Sequence, residues 1–192
     1  MEMTYLPNRK AVLECGTQLV KDSNQQWIGM GRTAAWIKLP EFRQAVEDAV
    51  NNRKVAFRIV VFYEGDVQKH AKDWSNFGAK IAFFEHGYIR LLISDYNQAM
   101  VAFPKVVTSL FEDREYFGFL IQDETAVSEL LNYFNQIWED AKEIGEVVDQ
   151  KENATQPLAK FEGVASGVLR FIFRVIVRAF PDWLEHYAHL GK

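Results

Sequence analysis

Two residues that can form a general-base pair, His86 and Asp95, lie close together in the sequence. They fall within residues 80–103, where three short apolar runs rich in Ile, Phe and Val are separated by turn residues. Such runs predict buried strands, and Arg90 is the charged residue inside them. A histidine beside a carboxylate can act as a base. A histidine in a turn more often has a structural role, with its hydrogen bonds made inside the turn. Catalysis by this pair is therefore a hypothesis.

A second group of candidate residues follows the first predicted strand, QWIGMG. Arg32, Trp36 and Lys38 lie in the loop after this strand. Ligands bind at that edge of open α/β sheets, and a tryptophan with two cations suits an anionic or aromatic ligand. A loop anchored by one tryptophan explains the same residues equally well. Gly29 and Gly31 at the end of this strand do not have the spacing of either glycine-rich phosphate-binding motif.

The chain ends in an apolar segment with a narrow cationic stripe. Arg170, Arg174 and Arg178 recur every four residues and therefore share one helix face. Gly163 and Gly167 allow a close helix crossing near the start of the segment. We expect this helix to contact a protein partner or a second copy through Leu169, Arg170, Phe173, Arg174, Ile176, Val177 and Arg178. A membrane-surface helix is the alternative.

The remaining candidate groups favour structural roles. Cys15 is the single cysteine, which excludes an internal disulfide, and it fits a small core position on a helix. His70 lies among charged residues and predicts a solvated helix face. His186 and His189 with Glu185 have the spacing of metal ligands but lack a fourth ligand. We therefore expect no metal and no cofactor.

Length and composition indicate one domain with an appendage. The chain has 192 residues, 48% of them hydrophobic and 14% aromatic, which is enough for a packed core. The net charge of −4 does not favour nucleic-acid binding by the whole surface. The chain shows neither an apolar signal segment nor a run long enough to span a membrane, so we expect a cytoplasmic protein.

The order of predicted elements indicates an α/β fold. Helices alternate with strands up to residue 80, which predicts a mixed, mainly parallel sheet with residues 55–63 as a central strand. Leu39-Pro40-Glu41 begins one helix, and Asp123 caps a long one. Residues 1–142 are expected to form the domain, residues 143–157 a polar linker and residues 158–192 a helical tail. No helix-turn-helix precedes the domain, so we do not expect a self-contained transcription regulator.

Over residues 8–142 this layout resembles one half-repeat of the phospholipase D superfamily. It is also similar to the related ligand-binding domain of sugar-sensing archaeal regulators. The strands KVAFRIVVF and GAKIAFFE, a strand running into Asp95 and an aspartate-capped helix ending in Phe and Trp carry the resemblance. It implies an α/β sandwich and a catalytic motif, His-x-Lys-x4-Asp, in which histidine attacks phosphorus, lysine holds the phosphate and aspartate orients the histidine.

The catalytic motif is degenerate in this chain. Counted back from Asp95, Arg90 takes the lysine position and Tyr88 the histidine position. The Gly-Ser and Asn positions that follow hold Ala102, Phe103 and Lys105. His86 lies two residues early, a shift of roughly 7 Å along a strand.

The resemblance and the degenerate motif imply an inactive module for protein interaction, assembly or ligand sensing. A phosphodiesterase or nuclease active as a dimer, and a membrane-surface protein, are the alternatives.

Overall fold

Helices and strands alternate through the first part of the domain and give way to a run of strands before the last helix. The computed structural model describes residues 2–32, 34–62, 67–84, 90–106 and 115–143. Its strands are β1 (Met3–Leu6), β2 (Gln26–Gly31), β3 (Ala56–Val61), β4 (Lys80–Phe83), β5 (Arg90–Ser94), β6 (Gln98–Val106), β7 (Glu115–Ile121) and β8 (Lys142–Glu143). Its helices are α1 (Arg9–Asp22), α2 (Pro40–Asn51), α3 (Val67–Asn76) and α4 (Glu124–Asp140), and a 3₁₀ turn, Ala35–Lys38, precedes α2.

The described strands form one mixed sheet in the order β1-β7-β6-β5-β2-β3-β4-β8. This confirms the α/β class and the mixed sheet. The expectation of a mainly parallel sheet is wrong: among the described strands, two pairs are parallel and five are antiparallel. The reason is that β5 pairs antiparallel with β2, and β6, β7 and β1 continue outward as an antiparallel meander.

Helices cover both faces of this sheet. β3 lies between β2 and β4, as expected of a strand formed by an apolar run, and Val60 and Val61 are fully buried. One sheet face shares a core with α1, α2 and α3, which contribute Leu19, Phe42 and Trp74. α4 covers the other face, where the Arg58 guanidinium lies 5.2 Å from the centre of the Phe134 ring.

The helix ends follow the sequence signals. Pro40 occupies the first turn of α2, with Glu41 beside it. Asp123 caps α4 by accepting a hydrogen bond of 3.0 Å from the Ala126 N–H. Gly78, just after α3, has φ 73°, a left-handed conformation that glycine adopts at low cost. Pro40 thus marks where the loop that follows β2 ends.

One described boundary bears on the expected domain organisation. β8 places Lys142 and Glu143 beside β4, so the described domain extends across the expected junction with the linker. The rest of the linker and the tail lie outside the described residues. Within the part of the chain that the structure describes, no helix has the length and apolar character needed to cross a membrane.

Candidate ligand-binding pocket

The candidate site lies at the C-terminal end of β2, where the strand leads into Arg32 and the 3₁₀ turn. β5 begins at Arg90 and runs antiparallel to β2, with Met30 paired to Leu91. Arg90 therefore lies beside Gly31, and a Cβ atom on Gly31 would be 3.9 Å from the Arg90 Cγ. The loop after β2, which was predicted to bind a ligand, thus begins beside Arg90, which takes the lysine position of the degenerate motif.

A cavity of about 50 Å³ opens at this edge. Its floor is one face of the sheet, because paired residues on adjacent strands share a face: Gly29 pairs with Ile59 and with Leu92, and Leu92 pairs with Met100. The described residues that line it are Trp27, Gly29, Met30, Gly31, Arg32, Ala34, Ala35, Trp36, Ile59, Trp74, Arg90, Leu92, Met100 and Tyr116. The described lining is therefore mostly aromatic and apolar. Its charged residues are Arg32 and Arg90.

Two stacked indoles form one wall of this pocket. The Trp27 and Trp74 rings lie 5.8 Å apart with an interplanar angle of 14°. Trp74 Nε1 donates a hydrogen bond of 3.0 Å to the Ala34 carbonyl, and Ala34 has φ 53°. Alanine adopts this left-handed conformation only at a cost, so the bond from α3 holds the loop in a strained shape.

Trp36 has an anchoring contact as well as a place in the pocket wall. Its ring packs edge-on against Phe42 at 5.5 Å and 83°. A Cβ atom on Gly16 would lie 2.1 Å from the Trp36 Cζ3, so α1 needs a glycine where the indole rests. Trp36 therefore packs between α1 and α2, and its contact with a ligand stays a prediction.

Arg90 and Tyr116 line the pocket and contact each other. The Arg90 guanidinium carbon lies 4.1 Å from the centre of the Tyr116 ring, a cation–π contact, and Tyr116 is 0% exposed. The Tyr116 Oη and the Trp27 Nε1 are both buried without a hydrogen-bond partner in the described part of the chain. Both atoms are therefore donors that the described residues leave without an acceptor.

Asp95 lies at the opposite end of β5 from Arg90. The four steps from Arg90 to Ser94 span roughly 13 Å of strand. The Asp95 carboxylate accepts backbone N–H bonds from Asn24 (2.6 Å), Gln25 (2.9 Å) and Gln26 (2.9 Å), where α1 leads into β2. Asp95 therefore holds this turn and does not face the pocket.

The other predicted site residues do not join this cluster. Lys38 is exposed at the end of the 3₁₀ turn and is not among the described lining residues. His86 and Tyr88 lie outside the described residues, as do the tail positions Leu169, Arg170, Phe173, Arg174, Ile176, Val177 and Arg178. Their roles stay predictions.

Two further titratable residues have settled positions. Cys15 packs against the core, as expected, and burial raises the pKa of its thiol to about 11, which disfavours the nucleophilic thiolate. His70 is 1% exposed, so the expectation of a solvated histidine is wrong. It lies one turn from the buried Trp74, on a face of α3 that packs inward.

Among the described residues, no group of three or more His, Cys, Asp or Glu side chains is arranged to hold a metal ion.

Sequence reasoning missed three residues that build the pocket: Trp27, Trp74 and Tyr116. A partial signal for Trp27 was present, because a glycine two positions along a strand leaves room for a large neighbour on the same face. A Cβ atom on Gly29 would lie 2.5 Å from the Trp27 Cζ3. Gly29 of QWIGMG thus makes room for the Trp27 indole.

Comparisons with known proteins agree with this architecture. The family model "Transcriptional regulator TrmB, EBD N-terminal subdomain" matches residues 37–145. TrmBL2 is an archaeal chromatin protein whose structure shows a novel mode of DNA binding. Its structure is similar to this one, with a TM-score of 0.53 and 14% identity over 75% of this chain. This chain spans 55% of the TrmBL2 chain. The comparison with curated protein sequences finds no match.

Two further solved structures, one of them a phospholipase D family member, share the fold. Nuc from Salmonella typhimurium, a phospholipase D family member, has a TM-score of 0.53 and 13% identity over 74% of this chain and 98% of its own. NucT from Helicobacter pylori has a TM-score of 0.59 and 10% identity over 74% of this chain and 100% of its own. Identity this low shows the fold alone, and it confirms the resemblance to the phospholipase D superfamily at that level. Because the family model covers more than half of the sequence, the chain belongs to the family of the transcriptional regulator TrmB, EBD N-terminal subdomain.

Proposed function

We propose that this domain is a catalytically inactive, phospholipase D-like module that senses a small ligand within a cytoplasmic regulatory protein. One observation carries the proposal. The pocket has cations and hydrogen-bond donors, but its described lining residues include no His, Cys, Ser, Thr, Asp, Glu or Lys that could act as nucleophile or general base. Such a wall supports binding better than bond cleavage.

The position of Arg90 agrees with binding without chemistry. An arginine stays protonated at all physiological pH values, so it can hold an anion but not donate a proton to a leaving group. Its guanidinium is also stacked on a buried ring. Tyr116 has the one hydroxyl among the described lining residues, and that hydroxyl is buried.

A hydrolysis assay tests the catalytic part of the proposal. The full chain should release nitrophenol from bis(4-nitrophenyl) phosphate no faster than the buffer does. Turnover that disappears in Tyr88→Phe or Arg90→Gln, with thermal unfolding unchanged, would show an active enzyme. It would revive the dimeric phosphodiesterase or nuclease, in which Tyr88 is the nucleophile.

We also propose that residues 158–192 join the module to a protein partner or a second copy. The spacing of the arginines and the apolar residues between them support this role. Vesicle co-sedimentation separates it from the membrane-surface alternative, since a lipid-binding tail would pellet with anionic vesicles and an assembly helix would not.

A further inference from the structure

A glycine interrupts the row of large apolar side chains that forms the floor of the pocket. Four paired residues cross the sheet in this row, in the order Ile59, Gly29, Leu92 and Met100. The glycine leaves a notch between its two neighbours. The flat Trp27 ring lies over this notch, 2.5 Å from where a Cβ atom on Gly29 would be, and a cavity remains beside it.

Backbone polar atoms around this cavity are already paired. Gly29 pairs with strands on both sides, and the Gly31 carbonyl accepts a hydrogen bond of 3.1 Å from the Phe62 N–H. The Ala34 carbonyl accepts the hydrogen bond of Trp74 Nε1. A water molecule in a protein interior needs two to four polar partners. These groups offer it none, which favours an apolar occupant.

The aromatic side chains also present carbon to the cavity. Trp27 Nε1 and Tyr116 Oη are both buried, so these two side chains border the cavity with ring carbons. The Arg90 guanidinium lies on the Tyr116 ring. The described lining residues include no Ser, Thr, Asn, Gln, Asp, Glu or His. A sugar ring, which needs acceptors as well as donors, is therefore disfavoured inside this cavity.

The size of the cavity limits the apolar group that fits. Its volume is about 50 Å³. One water-sized atom needs about 10–15 Å³, so the cavity holds about three or four carbon atoms. An engineered apolar cavity that binds benzene has about 150 Å³, and this cavity is about a third of that size. A short branched alkyl group fits, whereas a benzene ring needs more space.

We propose that this pocket binds the short branched alkyl group of a small metabolite. Ile59, Leu92 and Met100 contact its methyl groups, and the stacked indoles of Trp27 and Trp74 form the wall beside it. These contacts restore the dispersion attraction that the lining of an unfilled cavity lacks. The flexible thioether of Met100 suits this role because it adapts to the shape of its neighbour. The inference rests on the proposed sensing function, because it names the chemical class of the group that this module recognises.

The test titrates the full chain with isobutanol, glycerol and benzene. Isobutanol and glycerol are neutral molecules of similar size that differ in polarity, so their comparison does not depend on the arginines. The methyl NMR signals of Ile59, Leu92 and Met100 report binding in the pocket, and the Ile137 methyl signal on α4 is the internal control. We expect isobutanol to shift only the three pocket signals and to bind about tenfold more tightly than glycerol, because it buries more apolar carbon. Benzene should leave them unchanged.

A variant that fills the cavity tests where the alkyl group binds. Apart from its chain neighbours, a Cβ atom on Gly31 meets only the Arg90 Cγ within 4 Å, so Gly31→Val has room to place its methyl groups beside the cavity. Isobutanol affinity should fall about tenfold. Ala56→Val is the matched control: it also adds a valine to a strand, but at the exposed start of β3. It should leave affinity unchanged.

Four results would overturn the inference: isobutanol leaves the pocket signals of the unmodified chain unchanged, glycerol binds as tightly as isobutanol, benzene binds as tightly as isobutanol, or Gly31→Val binds isobutanol like the unmodified chain. The first three need no variant, so they decide even if Gly31→Val does not fold. Failure of isobutanol to bind would end the alkyl inference and leave the sensing of another ligand intact. Phosphodiester turnover would end the proposed function and leave alkyl binding intact.

Discussion

The guanidinium of Arg90 lies over the ring of Tyr116, 4.1 Å from its centre, although the two residues belong to strands that do not pair. β6 lies between them: Arg90 pairs with Ala102, and Ala102 pairs with Gly118 on β7. A small residue, Ala102, on the intervening strand lets the long Arg90 side chain pass over it. The stack thus joins the charge of the pocket to its most buried aromatic ring.

The Tyr116 hydroxyl has no hydrogen-bond partner among the described residues, which predicts that Tyr116→Phe does not destabilise the domain. A buried donor without an acceptor costs about 1–3 kcal/mol, so removing it should raise the free energy of unfolding or leave it unchanged. Tyr116→Leu should lower it by about 2–3 kcal/mol, because the cation–π contact and ring packing are lost. Urea denaturation in phosphate-free buffer measures both. A loss above about 1 kcal/mol in Tyr116→Phe would show that the hydroxyl has a partner.

The carboxylate of Asp95 predicts a structural rather than a catalytic phenotype. Asp95→Ala removes the acceptor of three backbone N–H groups, and we expect it to lower the free energy of unfolding by about 2–3 kcal/mol. Asp95→Asn should cost less, because it keeps one acceptor oxygen and tolerates the φ of 44° at this position. Asp140→Asn, an exposed aspartate at the end of α4, is the control. An Asp95→Asn variant as unstable as Asp95→Ala would contradict the assigned role.

The sequence predicted the elements that depend on local signals. The apolar run at residues 55–63 became β3, and the cap at Asp123 and the proline at residue 40 begin helices where expected. β1 was missed because MTYL is short and becomes a strand by pairing with β7, which is more than a hundred residues away in the chain.

Strand order and the pocket could not be predicted in the same way. The sheet is not mainly parallel because β5 pairs with β2, a long-range choice that no local pattern encodes. The site residues Trp27, Trp74 and Tyr116 come from three distant elements, and only the finished sheet brings them together. Asp95 matched the catalytic motif by spacing, but its contacts show that this aspartate stabilises a turn.

The two glycines of β2 predict opposite responses to alanine. A Cβ atom on Gly29 would meet the Trp27 ring at 2.5 Å, and that ring cannot move freely because it is stacked on Trp74. Gly29→Ala should therefore lower the free energy of unfolding by about 1–3 kcal/mol. Gly31→Ala meets only the Arg90 Cγ at 3.9 Å and should be nearly neutral. Thermal or urea unfolding compares them, and adding Trp27→Leu should remove most of the Gly29→Ala cost.

Burial of Cys15 predicts a loss of stability at alkaline pH. Its pKa rises from an ordinary 9.0 to about 11 in the folded chain because burial disfavours the thiolate. Well below pH 9 the thiol is protonated in both states and contributes no pH dependence. Between pH 9 and 11 the unfolded chain releases the proton while the folded chain keeps it, so the free energy of unfolding falls as the pH rises.

Unfolding measured from pH 7 to 11 checks this window. Cys15→Ala should show a shallower decline than the unmodified chain. Burial also raises the pKa of Tyr133, so the decline should not vanish in Cys15→Ala. Identical pH profiles for the two proteins would show that the thiol is not held neutral by the fold.

The composition of residues 158–180 predicts that the full chain associates through this segment. Burying one Leu, Ile, Val or Phe side chain contributes roughly 1.5–3 kcal/mol, so several such residues on one helix would drive association. Light scattering should show an oligomer for the full chain and a monomer for Phe173→Asp and for a chain ending at Gln150. Lys160→Asp is the control, because it changes charge in the same segment without removing an apolar group. Monomers for all four proteins, with no new dye-binding surface on the shortened chain, would mean that the tail packs on its own domain.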